Sequence, residues 1–255
     1  LENVGKGRKK SSGMLKKNDN FKRGVYIVKR LILVCGLLLC IAAVSFAGDI
    51  ASFVDLGFSE NSVYYMFAQY GINERSLPYA EVFTVDVASN SYAPEGVLKE
   101  EYTVPVQPGQ EGLGALLMLM RKGEDAAERY GINHLRTGRL VYILLNGEDP
   151  KKTVQFRDFQ TGKEISVSLI QEAYGTDKNV SSSFYLKVSV ETSEGKMKNF
   201  TAGLPGYKRK GVKSYTLRKI FVSPDDRYLI FVIEKNEAGK QGINIRYMVE
   251  TAKLP

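Results

Sequence analysis

Short runs of β-branched and aromatic residues, separated by clusters of Gly, Asn, Asp and Pro, recur along most of the chain. Residues 82–87 (VFTVDV), 140–145 (LVYILL), 165–170 (ISVSLI), 184–190 (FYLKVSV), 228–233 (YLIFVI) and 243–249 (INIRYMV) have the length and composition of strands. In 184–190 the polar Lys187 and Ser189 alternate with Leu186, Val188 and Val190, which predicts a strand with one wet face. Residues 228–233 show no such alternation. A strand that is apolar on both sides is predicted to lie between two layers, with a sheet or blade on each side.

One segment follows a different period. Between 112 and 130, Leu113, Leu116, Leu117 and Met120 fall at helical spacing, and Ala127 and Tyr130 continue the stripe. The spacing predicts an amphipathic helix lying on the sheet core, with Gly131 as its stop and Gly123 as a point where it kinks or divides. Residues 95–110, with two prolines and two glycines, read as the loop that enters it.

The N-terminal region is neither. A basic stretch leads into the unbroken apolar run LILVCGLLLCIAAV (31–44), followed by Ser45 and Ala47. This order is that of a secretory signal peptide, with cleavage expected between Ala47 and Gly48. The apolar run is shorter than the ~20 residues of a bilayer-spanning helix, so a retained anchor is the lesser alternative. Lipidation at Cys40 is another, set back by Leu39, because such sites want a small residue before the cysteine. The chain begins with Leu1 and its first methionine is Met14, so 1–13 are consistent with an over-extended reading frame.

Composition sharpens this division. Ten of the 36 bases and two of the 28 acids fall in residues 1–47, which leaves 26 of each for 48–255. The net charge of +8 therefore belongs to the leader, and it does not point to nucleic acid. Both cysteines, Cys35 and Cys40, lie in the apolar run, so cleavage leaves a thiol-free protein suited to an oxidising compartment. The sequons at Asn179 and Asn199 read as surface strand or loop positions.

Phe58-Ser-Glu-Asn-Ser-Val-Tyr-Tyr-Met-Phe67 aligns with Val222-Ser-Pro-Asp-Asp-Arg-Tyr-Leu-Ile-Phe231. Ser59 matches Ser223, Asn61 matches Asp225, Tyr64 matches Tyr228 and Phe67 matches Phe231. The pattern reads strand, tight turn, strand, with Asn61 or Asp225 capping the turn through its side chain. It resembles the F-S-P-D-G-R-x-L-A-F hairpin of TolB-type β-propeller repeats, although Glu60 and Ser62 depart from that pattern. Residues 80–90 and 154–163 fit the second hairpin of such blades, in which a strand ends in an aspartate, here Asp86 or Asp158. Closed propellers need about four or more blades; the strand candidates suit three blades or a two-sheet sandwich equally well. The mature length is also similar to a family of predicted secreted bacterial proteins of unassigned function. The residues that carry this likeness are Gly48-Asp-Ile-Ala-Ser-Phe-Val-Asp-Leu-Gly-Phe-Ser59, Tyr79-Ala-Glu-Val-Phe-Thr-Val-Asp-Val87 and Arg246-Tyr-Met-Val-Glu-Thr251. The resemblance implies export and brings no catalytic residues.

Candidate chemistry is sparse. His134 is the sole histidine and reads as a loop residue. No nucleophile elbow, P-loop, dinucleotide fingerprint or calcium loop is present. The acidic pairs Glu100–Glu101, Glu124–Asp125, Glu148–Asp149 and Asp225–Asp226 each read as helix face, turn or loop. The one charge anomaly is 207–219, which holds Lys208, Arg209, Lys210, Lys213, Arg218 and Lys219 without an acid. Such a basic segment interleaved with tyrosines is a candidate site for an anionic partner.

The expectation is a mainly-β domain at 48–255, as propeller-like blades or a two-sheet β architecture with one inserted amphipathic helix at about 112–130. Its expected role is an exported envelope or periplasmic binding or interaction protein. The expected partner is an anionic envelope polymer or another envelope protein, with the membrane met only through the leader before cleavage. No cofactor or metal is expected. The competing class is an exported hydrolase using two carboxylates from different strands.

Overall fold

The computed structural model describes residues 49–255 except 108, 177–178 and 241. The leader, both cysteines and the expected cleavage point lie outside the described residues. The order is β1 (Ser52–Ser59), β2 (Tyr64–Ile72), β3 (Pro78–Asp86), β4 (Ser91–Glu101), α1 (Leu113–Lys122), α2 (Glu124–Arg129), β5 (Ile132–Asn133), β6 (Arg139–Ile143), β7 (Thr153–Arg157), β8 (Glu164–Tyr174), β9 (Ser181–Glu191), β10 (Met197–Ala202), β11 (Arg209–Lys210), β12 (Val212–Val222), β13 (Tyr228–Ala238) and β14 (Ile243–Lys253).

The strands form three antiparallel sheets. The first has the order β4-β3-β2-β1-β5, the second β10-β9-β8-β7 with β11 paired to β9, and the third β14-β13-β12-β6. The fold is thus mainly β, as expected, with several antiparallel sheets and no closed barrel. Every predicted strand is present, each extended at one or both ends or shifted by a residue or two.

The third sheet lies in the middle of the stack, and β13 shows why. Leu229, Phe231 and Ile233 join a core with β8, β9 and β12, while Ile230 and Val232 join a second core with Phe58, Tyr65, Phe67, Phe83 and Val85 of the first sheet. Each of these five β13 side chains is fully buried, a burial that stabilises by roughly 1.5–3 kcal/mol apiece. In β12 the register shifts between Leu217 and Lys219. That bulge lets Tyr215 and Leu217 before it and Ile220 and Val222 after it serve the same core.

The outer face of the first sheet carries the helical segment. Ala115, Leu116 and Leu119 of α1 pack on Met66, Ala68, Ala80 and Val82. The predicted helix is divided at Gly123, where a Cβ would come within 2.5 Å of Leu98 Cδ1. Gly131 ends the segment at φ +60°. The stripe is only partly covered, because Leu113 and Leu117 face outward.

The aligned hairpins are equivalent in detail. Ser59 Oγ donates to Asn61 Oδ1 (2.9 Å) and accepts from Tyr64 N (2.9 Å); Ser223 Oγ donates to Asp225 Oδ1 (2.6 Å) and accepts from Tyr228 N (2.9 Å). Ser62 and Asp226 take the left-handed position at φ +56° and +57°, and both donate N–H to the turn serine's carbonyl (2.9 Å). Phe67 and Phe231 are both fully buried. Asp86 ends β3 and Asp158 follows β7, as the strand-then-aspartate pattern predicted, and each caps the turn after it. Asp86 Oδ1 accepts from Ala88 N and Ser89 N, and Asp158 Oδ1 accepts from Gln160 N. Each turn has a left-handed residue four positions on, Asn90 or Gly162.

The segment 95–110 departs from the reading as a loop, since residues up to Glu101 belong to β4. The strand is an edge, where a proline is tolerated. Its pairing skips from Phe83↔Val97 to Val85↔Tyr92, an irregularity that holds Pro94, Glu95 and Gly96.

Candidate functional site

The two outer sheets pack on opposite faces of the middle sheet, and they meet around its edge strand β14. A cavity of about 400 Å³ lies there. Val85, Ser89, Asn90, Ser91 and Tyr92 come from the β3–β4 region of the first sheet. Met248, Val249 and Glu250 come from β14, and Leu204 and Arg209 from the second sheet and the segment leading to β11.

Glu250 is the buried charge of this junction, at 5% exposure. Along β14, Val249 turns to the core shared with the first sheet and Met248 to the core shared with the second, so Glu250 shares the side of Met248. Asn90 Nδ2 donates to Glu250 Oε2 (2.5 Å), while Asn90 Oδ1 accepts from Thr251 N (2.8 Å). The left-handed turn residue of one sheet thereby fixes the carboxylate of another. Arg209 Nη2 pairs with Glu250 Oε1 at 3.5 Å, at the long limit of a hydrogen bond. Its guanidinium sits 5.0 Å from the Phe184 ring centroid and 4.9 Å from that of Tyr207. Arg209 Nη1 is buried without a hydrogen-bond partner. Burial pushes the Glu250 carboxyl up, and the hydrogen bond from Asn90 and the charge of Arg209 offset this only in part. Burial, and after it the Glu250 charge, raises the Tyr92 hydroxyl.

The six bases of 207–219 are not gathered at one place. Arg209 faces the junction. Lys208 lies over the Tyr174 ring at 3.8 Å from its centroid, and Lys208, Lys210 and Lys213 are exposed. Arg218 pairs with Glu234 (3.5 Å) and donates to Asn146 Oδ1 (2.9 Å), whereas Lys219 lies over Phe53. Strand alternation separates Arg209 from its two neighbours, and the β12 bulges separate the rest.

The acidic pairs hold structural positions. Glu100 and Glu101 pair with Lys122 (2.7 Å) and Arg75 (2.5 Å), and Glu124 and Asp125 open α2. Glu148 accepts from Leu145 N (3.3 Å), in the loop that also holds Asp149. Asp225 caps its turn, and Asp226 pairs with Arg139 (2.9 Å). His134 is exposed, with Nδ1 2.6 Å from Leu56 O. Among the described residues no group of His, Cys, Asp and Glu could hold a metal ion, and no helix is long and apolar enough to cross a membrane.

Of the six bases singled out in the sequence only Arg209 lines this cavity, and its neighbours Glu250, Asn90 and Tyr92 were not singled out as site residues. The available signal was Glu250 itself, an acid inside the otherwise apolar-rich run of β14. No curated protein and no solved structure matches the chain; the likeness to TolB-type repeats therefore remains one of two hairpins. The match to the family described as "Predicted secreted protein (DUF2259)" runs over residues 66–253, from β2 to the end of β14, and the chain belongs to that family of predicted secreted proteins.

Proposed function

We propose that the protein is exported by its basic leader, cut between Ala47 and Gly48, and acts in the periplasm or outside the cell as a single-domain binding module whose ligand site is the β14 junction. The observation that carries this reading is the opposition of Glu250 and Arg209 in a cavity to which all three sheets contribute. The sheets otherwise meet chiefly through apolar cores. The other cavity between the first and third sheets is also polar, but its Arg246 is paired with Asp49, whereas a half-satisfied charge pair beside open volume is not needed for stacking. Membership of a predicted secreted family supports export. Asp49 is hydrogen-bonded to β14, so the residues just after the proposed cleavage point belong to the folded domain. The lining of this cavity holds one carboxylate, Glu250, and the three in the cavity beside Arg246, Glu81, Glu100 and Glu101, are paired with Lys99, Lys122 and Arg75, which favours binding over the two-carboxylate hydrolase. Lys208, Lys210 and Lys213 are offered as an outer contact for an anionic envelope polymer.

The test is thermal unfolding of the mature chain with a panel of amino acids, nucleotides, dicarboxylates and saccharides. A control variant, Leu204→Trp, fills the cavity from an exposed loop position. A ligand present at about 100 times its Kd adds about 2.7 kcal/mol, a rise of roughly 5–10 °C for a domain of this size. Such a rise in the wild type, lost in Leu204→Trp, supports the reading. The same response in both proteins, or none in the wild type, overturns it.

A further inference from the structure

We infer that the junction cavity takes a saccharide ring laid against Tyr92, an assignment that rests on the reading of this cavity as the ligand site. Tyr92 is the last plate of a stack. Its ring packs on Phe83 at 5.4 Å between centroids and 30° between planes, and Phe83 packs on Phe67 at 4.9 Å and 17°. Phe67 is fully buried and Phe83 nearly so, whereas Tyr92 is 49% exposed. The outermost ring is therefore backed by Phe83 and about half exposed, on the wall of the cavity. A rigid aromatic plate with a polar tip offers contact area at little loss of side-chain freedom.

The polar groups around the plate discriminate between ligand classes. Each sugar hydroxyl donates one hydrogen bond and accepts others, so its site must present acceptors and donors together. Here Glu250 is the buried acceptor, Arg209 the neighbouring donor, and Ser89 and Ser91, joined Oγ to Oγ at 2.8 Å, add two hydroxyls on the same wall. A phosphate or sulfate brings mostly acceptors and would face the Glu250 carboxylate with like charge. A wholly apolar ligand would cover Glu250 and Arg209 without meeting their hydrogen-bonding needs, which is costly. Because the two charges oppose each other, the site does not require a charged ligand. Its volume, about 400 Å³, lies within the range of about 300–1,000 Å³ typical of small-ligand pockets. Apolar Val85, Met248 and Val249 give the ring's carbon–hydrogen faces something to pack on.

The experiment is binding of the mature chain to a printed array of neutral and acidic glycans, with tripolyphosphate titrated separately by calorimetry. The expected result is retention of at least one glycan class. Tyr92→Ala should weaken that binding about ten-fold or more, as truncation of a central aromatic anchor does. Tyr92→Phe keeps the plate and should retain most of the binding, and Leu204→Trp should abolish it. Thermal unfolding of each variant within a few degrees of wild type shows that the fold is intact; if Tyr92→Ala fails to fold, Tyr92→Phe and Leu204→Trp carry the test. The inference is overturned if no glycan is retained, if Tyr92→Ala or Leu204→Trp retains glycans as well as wild type, or if tripolyphosphate is the preferred ligand. If another solute class stabilises the wild type but not Leu204→Trp, the saccharide assignment falls and the cavity stands as a ligand site. If no solute does, both fall.

Discussion

Asp49 is the residue whose loss should most damage the fold outside the hydrophobic cores. Its side chain is 2% exposed and paired with Arg246 Nη2, itself on a side chain 17% exposed. The Tyr79 hydroxyl donates to Asp49 Oδ1 (2.9 Å), and Asp49 N donates to Asn244 Oδ1 (2.9 Å). Around them, Ile245 N donates to Asp49 O (2.8 Å) and Ala51 N to Ile245 O (3.1 Å), so the segment before β1 is laced to β14. Asp49→Ala keeps those backbone bonds but strips the carboxylate from a largely buried guanidinium and a tyrosine hydroxyl. Breaking one side of a buried pair costs about 3–5 kcal/mol. Arg246 also lines a cavity of about 290 Å³ with Glu81, Glu100 and Glu101, towards which it can turn. The lower end, about 3 kcal/mol, is therefore expected. For a domain of this size that corresponds to a fall of roughly 6–12 °C in Tm. Urea unfolding of the mature chain measures the loss directly. In the double variant Asp49→Ala/Arg246→Met neither charge is left stranded, so it should recover much of the loss. A single variant within about 1 kcal/mol of wild type, or a double variant damaged by the sum of both singles, would refute the reasoning.

Burial alone would raise Asp225, but hydrogen bonds from Ser223 and Arg227 outweigh it and hold the carboxyl below its ordinary value of 3.8. Its contribution is present above that value and lost as pH falls through the folded one. Asp225→Asn should cost about 1–2 kcal/mol near neutrality and flatten the acid side of the stability profile, whereas Asn61→Ala in the twin turn should shift stability with no change in acid slope. Equal acid slopes for Asp225→Asn and wild type would count against this. Glu250 is the opposite case, since its folded carboxyl is raised above 4.5, chiefly by burial. The folded state then holds a proton that the unfolded state has lost, and stability declines as pH rises through that window. Glu250→Gln should remove this part of the decline in denaturant titrations across about pH 4–8, and an unchanged slope would exclude it. Retention on an anionic polymer should fall as salt shortens the Debye length below ~10 Å, and the triple variant Lys208→Ser/Lys210→Ser/Lys213→Ser should lose most of that dependence. Identical curves for the two proteins would return these lysines to plain surface. Mass spectrometry of the exported protein should give Gly48 as the first residue, and an intact leader or a lipid on Cys40 would overturn the processing.

Legibility of the fold in the sequence followed the range of the forces involved. The two-sided burial of β13 could be read from 228–233, because an unbroken apolar run has nowhere to go except between layers. The twin turns were legible because a serine, an Asn or Asp two residues on and a left-handed residue after that form a motif closed within six residues. The extent of β4 was hidden because Pro94 and Gly96 carry loop propensity, and only their place on a sheet edge makes them acceptable in a strand. Helical spacing in 112–130 predicted a helix but not how wide a face the first sheet would cover, so Leu113 and Leu117 of the stripe are exposed, at 39% and 63%.

The site was less legible for a related reason. A run of bases looks like a patch only if neighbours in sequence are neighbours on a face, and in a strand they are not. Lys208 and Lys210 turn away from Arg209, and only Arg209 meets the partner that gives it chemical meaning. That partner, Glu250, is held by Asn90 from 160 positions away. The stack itself explains why the polar groups collect there. Two outer sheets packed on opposite faces of a middle one can bury apolar side chains everywhere except around the edge strand, where neither face continues. At that seam the backbone edge and any side chain beyond it must be satisfied by residues from all three sheets or by a ligand. Asn90 satisfies one oxygen of Glu250 and the neighbouring Thr251 N–H. Arg209 reaches the other oxygen only at 3.5 Å and leaves Nη1 unmet. The protein's own residues thus complete most of the seam and leave a donor, an acceptor and an open aromatic face at its mouth, which is where a polar ligand gains most by binding.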